Sequence, residues 1–232
     1  MTAALVLRRP DVRELLLRRP ELGASVVVVA AWVAVLVLAA AGGHRHVSRG
    51  LSYWTLMTVA MMGPAALAGI RHTGLNSLRW RRRRAMVEFA AAYLAVWIAF
   101  GALALAVAAR VLVLVPRPVA FAIVLAGAAA WQLCPLKRRW LRDCHRSVPL
   151  PPRGWVAEKA ALRFGLRNGA ACLGSCWCLM LVMVVASGLV WTVLLAGFVT
   201  AEKLLQQPRR ATRFGAAVLA IAAAGAALAA LV

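Results

Sequence analysis

The stretch RRRRAMVEFAAAYLAVWIAFGALALAVAAR, residues 81–110, decides the fold class. Arginines close both of its ends, and between Met86 and Ala109 the one charged residue is Glu88. About 20 predominantly apolar residues in a helix cross the hydrocarbon core of a bilayer, and this run is long enough. Its arginine flanks suit the lipid headgroup region.

Working outward, seven such stretches follow one another: about 22–41, 52–70, 86–109, 117–134, 170–187, 189–204 and 214–231. The fifth and sixth are separated by Ser187 and Gly188, which predicts a tight hairpin. Gly63-Pro64 inside the second predicts a kink there, because proline frees a backbone carbonyl. Composition agrees with this pattern. Of 232 residues 63% are hydrophobic and 15% charged, and the mean hydropathy is +0.79. A soluble domain of this length needs more polar surface to cover its core.

The charge confirms the count and sets an orientation. There are 28 Lys and Arg against 7 Asp and Glu. With the N-terminus cytoplasmic, 24 of the basic residues fall in inner segments, while Arg45, Arg49, Arg110 and Arg117 fall outside. That asymmetry is the positive-inside pattern. The fold expected is an all-α, polytopic transmembrane helix bundle of about seven helices, or six if the Ala-rich last one is not counted. A basic cytoplasmic tail, 1–21, would precede a single transmembrane domain, 22–232. The first apolar run follows Arg8, Arg9, Arg13, Arg18 and Arg19 and lacks a small-residue cleavage site after it, so it reads as a membrane helix and not as a cleaved signal. The longest loop, about 135–169, is expected on the cytoplasmic side. It carries a proline-rich turn, Pro149 to Pro152, and then a short amphipathic helix on the membrane surface anchored by Trp155. The location implied is the bacterial cytoplasmic (inner) membrane, multi-pass.

A pI near 11.8 in a soluble protein would suggest nucleic acid. Here the arginines lie in blocks between apolar runs, without interleaved aromatic residues, so no nucleic-acid partner is expected. Anionic lipids at the cytoplasmic face are the partners such blocks meet.

The residues with chemistry are sulfurs. Cys172, Cys176, Met180 and Met183 recur at i, i+4, i+8 and i+11, on one face of a helix. Met57 and Met61 share a face of the second helix, with Met62 beside them. Two thiols and several thioethers are soft ligands, which select copper(I), and zinc or another soft metal where thiolates dominate. If the second and fifth spans touch, Met57, Met61, Cys172, Cys176 and Met180 would converge on one intramembrane metal site. Small residues around both, such as Gly63 and Gly174, would allow the approach. The same residues also serve as ordinary apolar packing. Met62, Met183, Cys178, Cys134, Cys144, His145, His44 and His46 are candidates for a metal relay. Glu202 and Lys203, at the inner end of the sixth span, are charged groups at membrane depth and therefore functional suspects. As neighbours on a helix they do not face each other, so Glu202 is expected to meet a basic residue of another helix.

No P-loop, phosphorylated-aspartate motif or ATPase domain is present, which excludes an ATP-driven pump. Neither Gly-x-Ser-x-Gly nor His-Glu-x-x-His occurs, and no catalytic residue is assigned.

At these positions the chain resembles a bacterial domain-of-unknown-function family of metal-binding integral membrane proteins, some members of which are described as copper chaperones. The resemblance rests on Trp54, Met57, Ala60, Met61, Met62 and Pro64; on Tyr93 and Trp97; and on Gln132, Leu133, Pro135, Leu136 and Lys137 with Cys144. It continues through Gly169, Cys172, Gly174, Cys176, Trp177, Leu179 and Met180 to the closing Glu202-Lys203, covering about 50–205. Ser175 and Trp140 stand where the family pattern leads one to expect cysteines. The resemblance implies a membrane protein that binds metal.

The reading is a membrane protein handling a soft metal ion, copper(I) first, as delivery or transfer through a Met/Cys site, in preference to an enzyme. A copper enzyme or a soluble metallochaperone would be its partner, and a homo-oligomer is compatible. The alternatives are a membrane thiol-disulfide oxidoreductase using Cys172 and Cys176, and a structural or assembly subunit of a membrane complex. Cysteines at i, i+4 on a helix lie near the upper limit for bridging, which weighs against the oxidoreductase.

Overall fold

The computed structural model describes residues 19–41, 50–186, 189–204 and 208–231, and these form eight helices and no strand. They are α1 (Leu22–Ala40), α2 (Leu51–Leu75), α3 (Arg82–Leu114), α4 (Arg117–Leu133), α5 (Pro135–Cys144), α6 (Gly154–Val185), α7 (Leu189–Leu204) and α8 (Pro208–Leu231). His44, His46, the Ser187-Gly188 hairpin and most of the basic tail lie outside the described residues.

Five helices are long and apolar enough to cross a membrane: α1, α2, α3, α6 and, in α8, Thr212–Ala229. Counting the bent pair α4–α5 as one broken span makes six. The expected count of seven differs at α7. Its sixteen described residues rise roughly 24 Å at about 1.5 Å each, short of a hydrocarbon core of about 30 Å.

The segment 135–169 is not a loop. Cys134 is extended, as a residue before proline prefers, and Pro135 opens a new helix at its first position. The chain therefore turns by 74° between α4 and α5. From Gly154, which has a φ of +71°, the helix runs unbroken for 32 residues to Val185. The expected surface helix at Trp155 is thus the first turns of α6, with Trp155 itself exposed. No proline interrupts 154–185, and Ala, Leu, Glu and Lys keep the helix going. Pro64 likewise lies inside a continuous α2.

The long helices α3 and α6 lie along one another. Gly165 makes this close: a Cβ there would stand 2.4 Å from the Phe89 carbonyl oxygen and 2.8 Å from the Ala92 Cβ. One turn on, a Cβ at Gly169 would stand 3.1 Å from the Tyr93 oxygen. Small residues admit a neighbouring backbone in this way where helices associate by van der Waals contact. α3 also receives α2. The Trp54 indole lies over Gly101 and donates from Nε1 to the Trp97 carbonyl at 2.9 Å. α1 rests on α2, and α8 on α4.

Burial sorts the helices into two shells. In α2 and α6 more than half of the most apolar window is buried, 56% and 61%, against 17% for α1 and α3. The outer helices turn Val29, Val113, Leu114, Phe214 and Ile221 outward. Exposed apolar surface of that extent needs a covering that water does not provide.

Gly165→Ala should force α3 and α6 apart and lower stability by roughly 1–3 kcal/mol. Gly127→Ala, with open space around its Cβ, should raise stability by up to about 1 kcal/mol. Thermal unfolding of the two variants beside the parent checks both directions.

Candidate metal centre

Where α6 passes between α3 and α5, its thiols meet side chains from four other helices. Cys172 is the hub, with its residue 1% exposed. The Tyr93 hydroxyl of α3 donates to Cys172 Sγ at 3.0 Å. The Lys203 ammonium of α7 donates to the same sulfur at 2.7 Å. Met62 of α2 brings its Sδ to 3.9 Å from Cys172 Sγ. One sulfur thus touches a phenol, an ammonium and a thioether that are 79, 31 and 110 positions away in the chain.

Ser175 connects this hub to two further thiols. Its hydroxyl donates to the Cys172 carbonyl at 2.8 Å, as serines inside helices often do. The same oxygen lies 3.3 Å from Cys176 Sγ and 3.9 Å from Cys144 Sγ. Cys144, the last residue of α5, is held there by Asn168 of α6, whose amide donates to the Cys144 carbonyl at 3.3 Å. All five cysteines are free thiols. Among the described residues no three His, Cys, Asp or Glu side chains group as the ligands of a metal ion. The soft donors are instead thiols and one thioether around Cys172 and Ser175.

The other candidates take separate places. Met57, Met61, Met180, Met183 and Cys178 are buried in the same core. Met62, rather than Met57 or Met61, supplies the thioether at Cys172. It is one residue beyond Met61, about 100° further round the helix, and that rotation brings it toward α6. Cys134 is half-buried at the α4–α5 bend. The His145 ring lies between two carbonyls, Leu141 at 2.9 Å and Lys203 at 3.3 Å, and so props the α7 end against α5. Of the two expected cysteine replacements, Ser175 is in the cluster, while the Trp140 ring packs on Gly174.

Beside the sulfurs is a second buried cluster. Lys137 of α5 pairs with Glu202 of α7 at 2.5 Å, each side chain 1% exposed. It also donates to the Gln132 amide oxygen at the end of α4. The partner expected for Glu202 from another helix is therefore Lys137. Glu202 and Lys203, adjacent and pointing apart, divide the work: one anchors α7 to the α4–α5 bend, the other reaches Cys172. Ser175, three residues on in the same helix, follows from spacing; Tyr93 and Lys203 as neighbours of Cys172 were not readable from it, because each stands on another helix. Their only sequence signal was membership of the short motifs at Tyr93-x-x-x-Trp97 and Glu202-Lys203.

Helices long and apolar enough for a bilayer thus bring together a buried group of thiols and a thioether with one ammonium beside it, in an all-helical protein. The chain belongs to the PpoB2 copper chaperone family, whose profile matches residues 51–226, about three quarters of its length. No curated protein and no solved structure matches it. The matched span contains every residue of the two clusters.

Removing one partner of a buried ion pair strands the other charge. Lys137→Ala should therefore cost about 3–5 kcal/mol, whereas Lys137→Met combined with Glu202→Leu should recover most of that loss. Denaturant unfolding of the single and double variants measures the difference.

Proposed function

We propose that this protein is a membrane copper(I) chaperone that takes its cargo at Cys172. Delivery to a copper enzyme, or exchange with a soluble metallochaperone, would follow. One observation carries the reading: Cys172 Sγ meets both a thioether, Met62 Sδ at 3.9 Å, and an ammonium, Lys203 Nζ at 2.7 Å, with Cys176 and Cys144 grouped around Ser175 beside it.

Charge supports a monovalent cargo. A metal binds cysteines as thiolates. Copper(I) on two thiolates has a net charge of minus one, and the Lys203 ammonium makes the whole neutral. A divalent ion in the same place leaves a net positive charge, which is costly away from water. Thiolate and thioether donors favour copper(I) as well. Cys172 with Cys176 would be the primary ligands and Met62 a third. Cys144, at the end of α5, would pass the ion onward by exchange between sulfurs.

The membrane setting is supported by five or six helices of spanning length and composition and by their apolar outer faces. Residues 22–232 would form one membrane domain behind the basic tail. The 24-to-4 division of basic residues favours a cytoplasmic N-terminus in the bacterial inner membrane.

Protein purified under reducing conditions and loaded with copper(I) should hold one equivalent by metal mass spectrometry. The Cys172→Ser, Cys176→Ser double variant should hold none. No copper on the parent, or copper unchanged in the variant, would sink the proposal. Lys203→Gln should reduce the preference for copper(I) over zinc in a competition assay, because two thiolates without the ammonium are neutralised by a divalent ion.

A further inference from the structure

A groove of about 780 Å³ lies between α1, α2 and α3 and is lined in part by Tyr93, whose hydroxyl meets Cys172. Its volume is in the range of small-molecule sites, about 300–1,000 Å³. Most of its wall is apolar, with Val27 and Val28 from α1, Val59 and Ala66 from α2, and Ala90 and Leu94 from α3. Water gains little in such a space, since it needs polar partners.

One end differs. There the start of α1, the end of α2 and the start of α3 come together, marked by the Glu21–Arg71 ion pair at 3.7 Å and by Pro20 and Met86 closing on Gly74. Arg79, Arg82 and Arg83 line the groove at this end, and no Asp or Glu lines it anywhere. The neighbouring arginines are engaged: Arg81 holds Glu88 at 2.8 Å, and Arg84 holds Glu88 at 3.0 Å and Glu158 at 2.8 Å. Arg79 and Arg83 are exposed, and among the described residues neither has a carboxylate within ion-pair distance.

We infer that this groove is a binding site for one anionic phospholipid, with an acyl chain along the α1–α2–α3 wall and the headgroup phosphate on Arg79 and Arg83. The guanidinium fork matches phosphate geometry, and basic pockets between membrane helices recruit anionic headgroups. An occupant with a long apolar part and one anionic end satisfies both halves of the lining, which neither water nor a free anion does. The inference rests on the membrane reading and is independent of the copper cargo.

The test uses the whole protein, extracted in detergent, delipidated and titrated with phosphatidylglycerol or phosphatidylcholine of the same acyl chains, with bound lipid counted by native mass spectrometry. One phosphatidylglycerol should be retained, with a preference over phosphatidylcholine of roughly twenty-five-fold, about fivefold for each of two arginines. Arg79→Gln with Arg83→Gln should abolish the preference while leaving some lipid bound. Ala24→Trp, which fills the groove, should remove both lipids. Equal retention of the two lipids by the parent would overturn the site, and that comparison needs no variant to fold. So would an unchanged preference in the arginine variant, or displacement of the lipid by inorganic phosphate at equal concentration. Recovery of the protein from the soluble fraction without detergent would overturn the membrane reading and this site with it; detergent-dependent protein that retains no lipid overturns the site alone.

Discussion

The contact of α6 with α3 sets what every other element can do. Gly165 and Gly169 have no Cβ, and the Phe89 and Tyr93 carbonyls take up that space. At this separation the Tyr93 side chain reaches across to Cys172 instead of packing beside it. Trp54 on Gly101 repeats the device further along α3 and brings α2 in, so that Met62 arrives at the same sulfur. Two small-residue contacts on one helix therefore bring three helices to a single thiol.

A second constraint is the burial of charge. Lys137 and Glu202 are withdrawn from water, and each is tolerable only because the other is there. Their pairing ties α7 to the α4–α5 bend, where Pro135 has already turned the chain by 74°. With α7 held in that position, the next residue, Lys203, points the other way and meets Cys172. A short helix of sixteen described residues is thereby anchored by one charged residue and presents the next. In the proposed function, the positive charge beside the thiols would make a monovalent ion on two thiolates electrically neutral in a site shielded from water.

Sequence and structure agree most closely where composition decides. Apart from the fifth, whose helix begins sixteen residues early at Gly154, the apolar runs are helices within about six residues of their expected bounds, because a long apolar stretch in a helix satisfies its own backbone. They part where a boundary depended on neighbours. The 135–169 segment contains enough charge and proline to read as a loop, yet α5 and the first half of α6 are helical because they have α6 and α3 to pack against. Met57 and Met61 are conspicuous at i, i+4. Met62 is the residue at Cys172, because the rotation of α2 is set by Trp54 against α3 and not by its own sulfur pattern.

By itself the sequence determined the helical class, the approximate spans, the asymmetry of charge and the soft character of the donors. All of these are sums over composition or periods along one helix. It also marked Cys172 and Cys176 as one face of a helix, for the same reason. Only the tertiary structure decided that Cys172 is the hub, that Met62, Tyr93 and Lys203 surround it, and that Lys137 is the partner of Glu202. Those contacts join residues between 31 and 110 positions apart. No local period encodes such separations; they arise where the packing distances and rotations of several helices are fixed together.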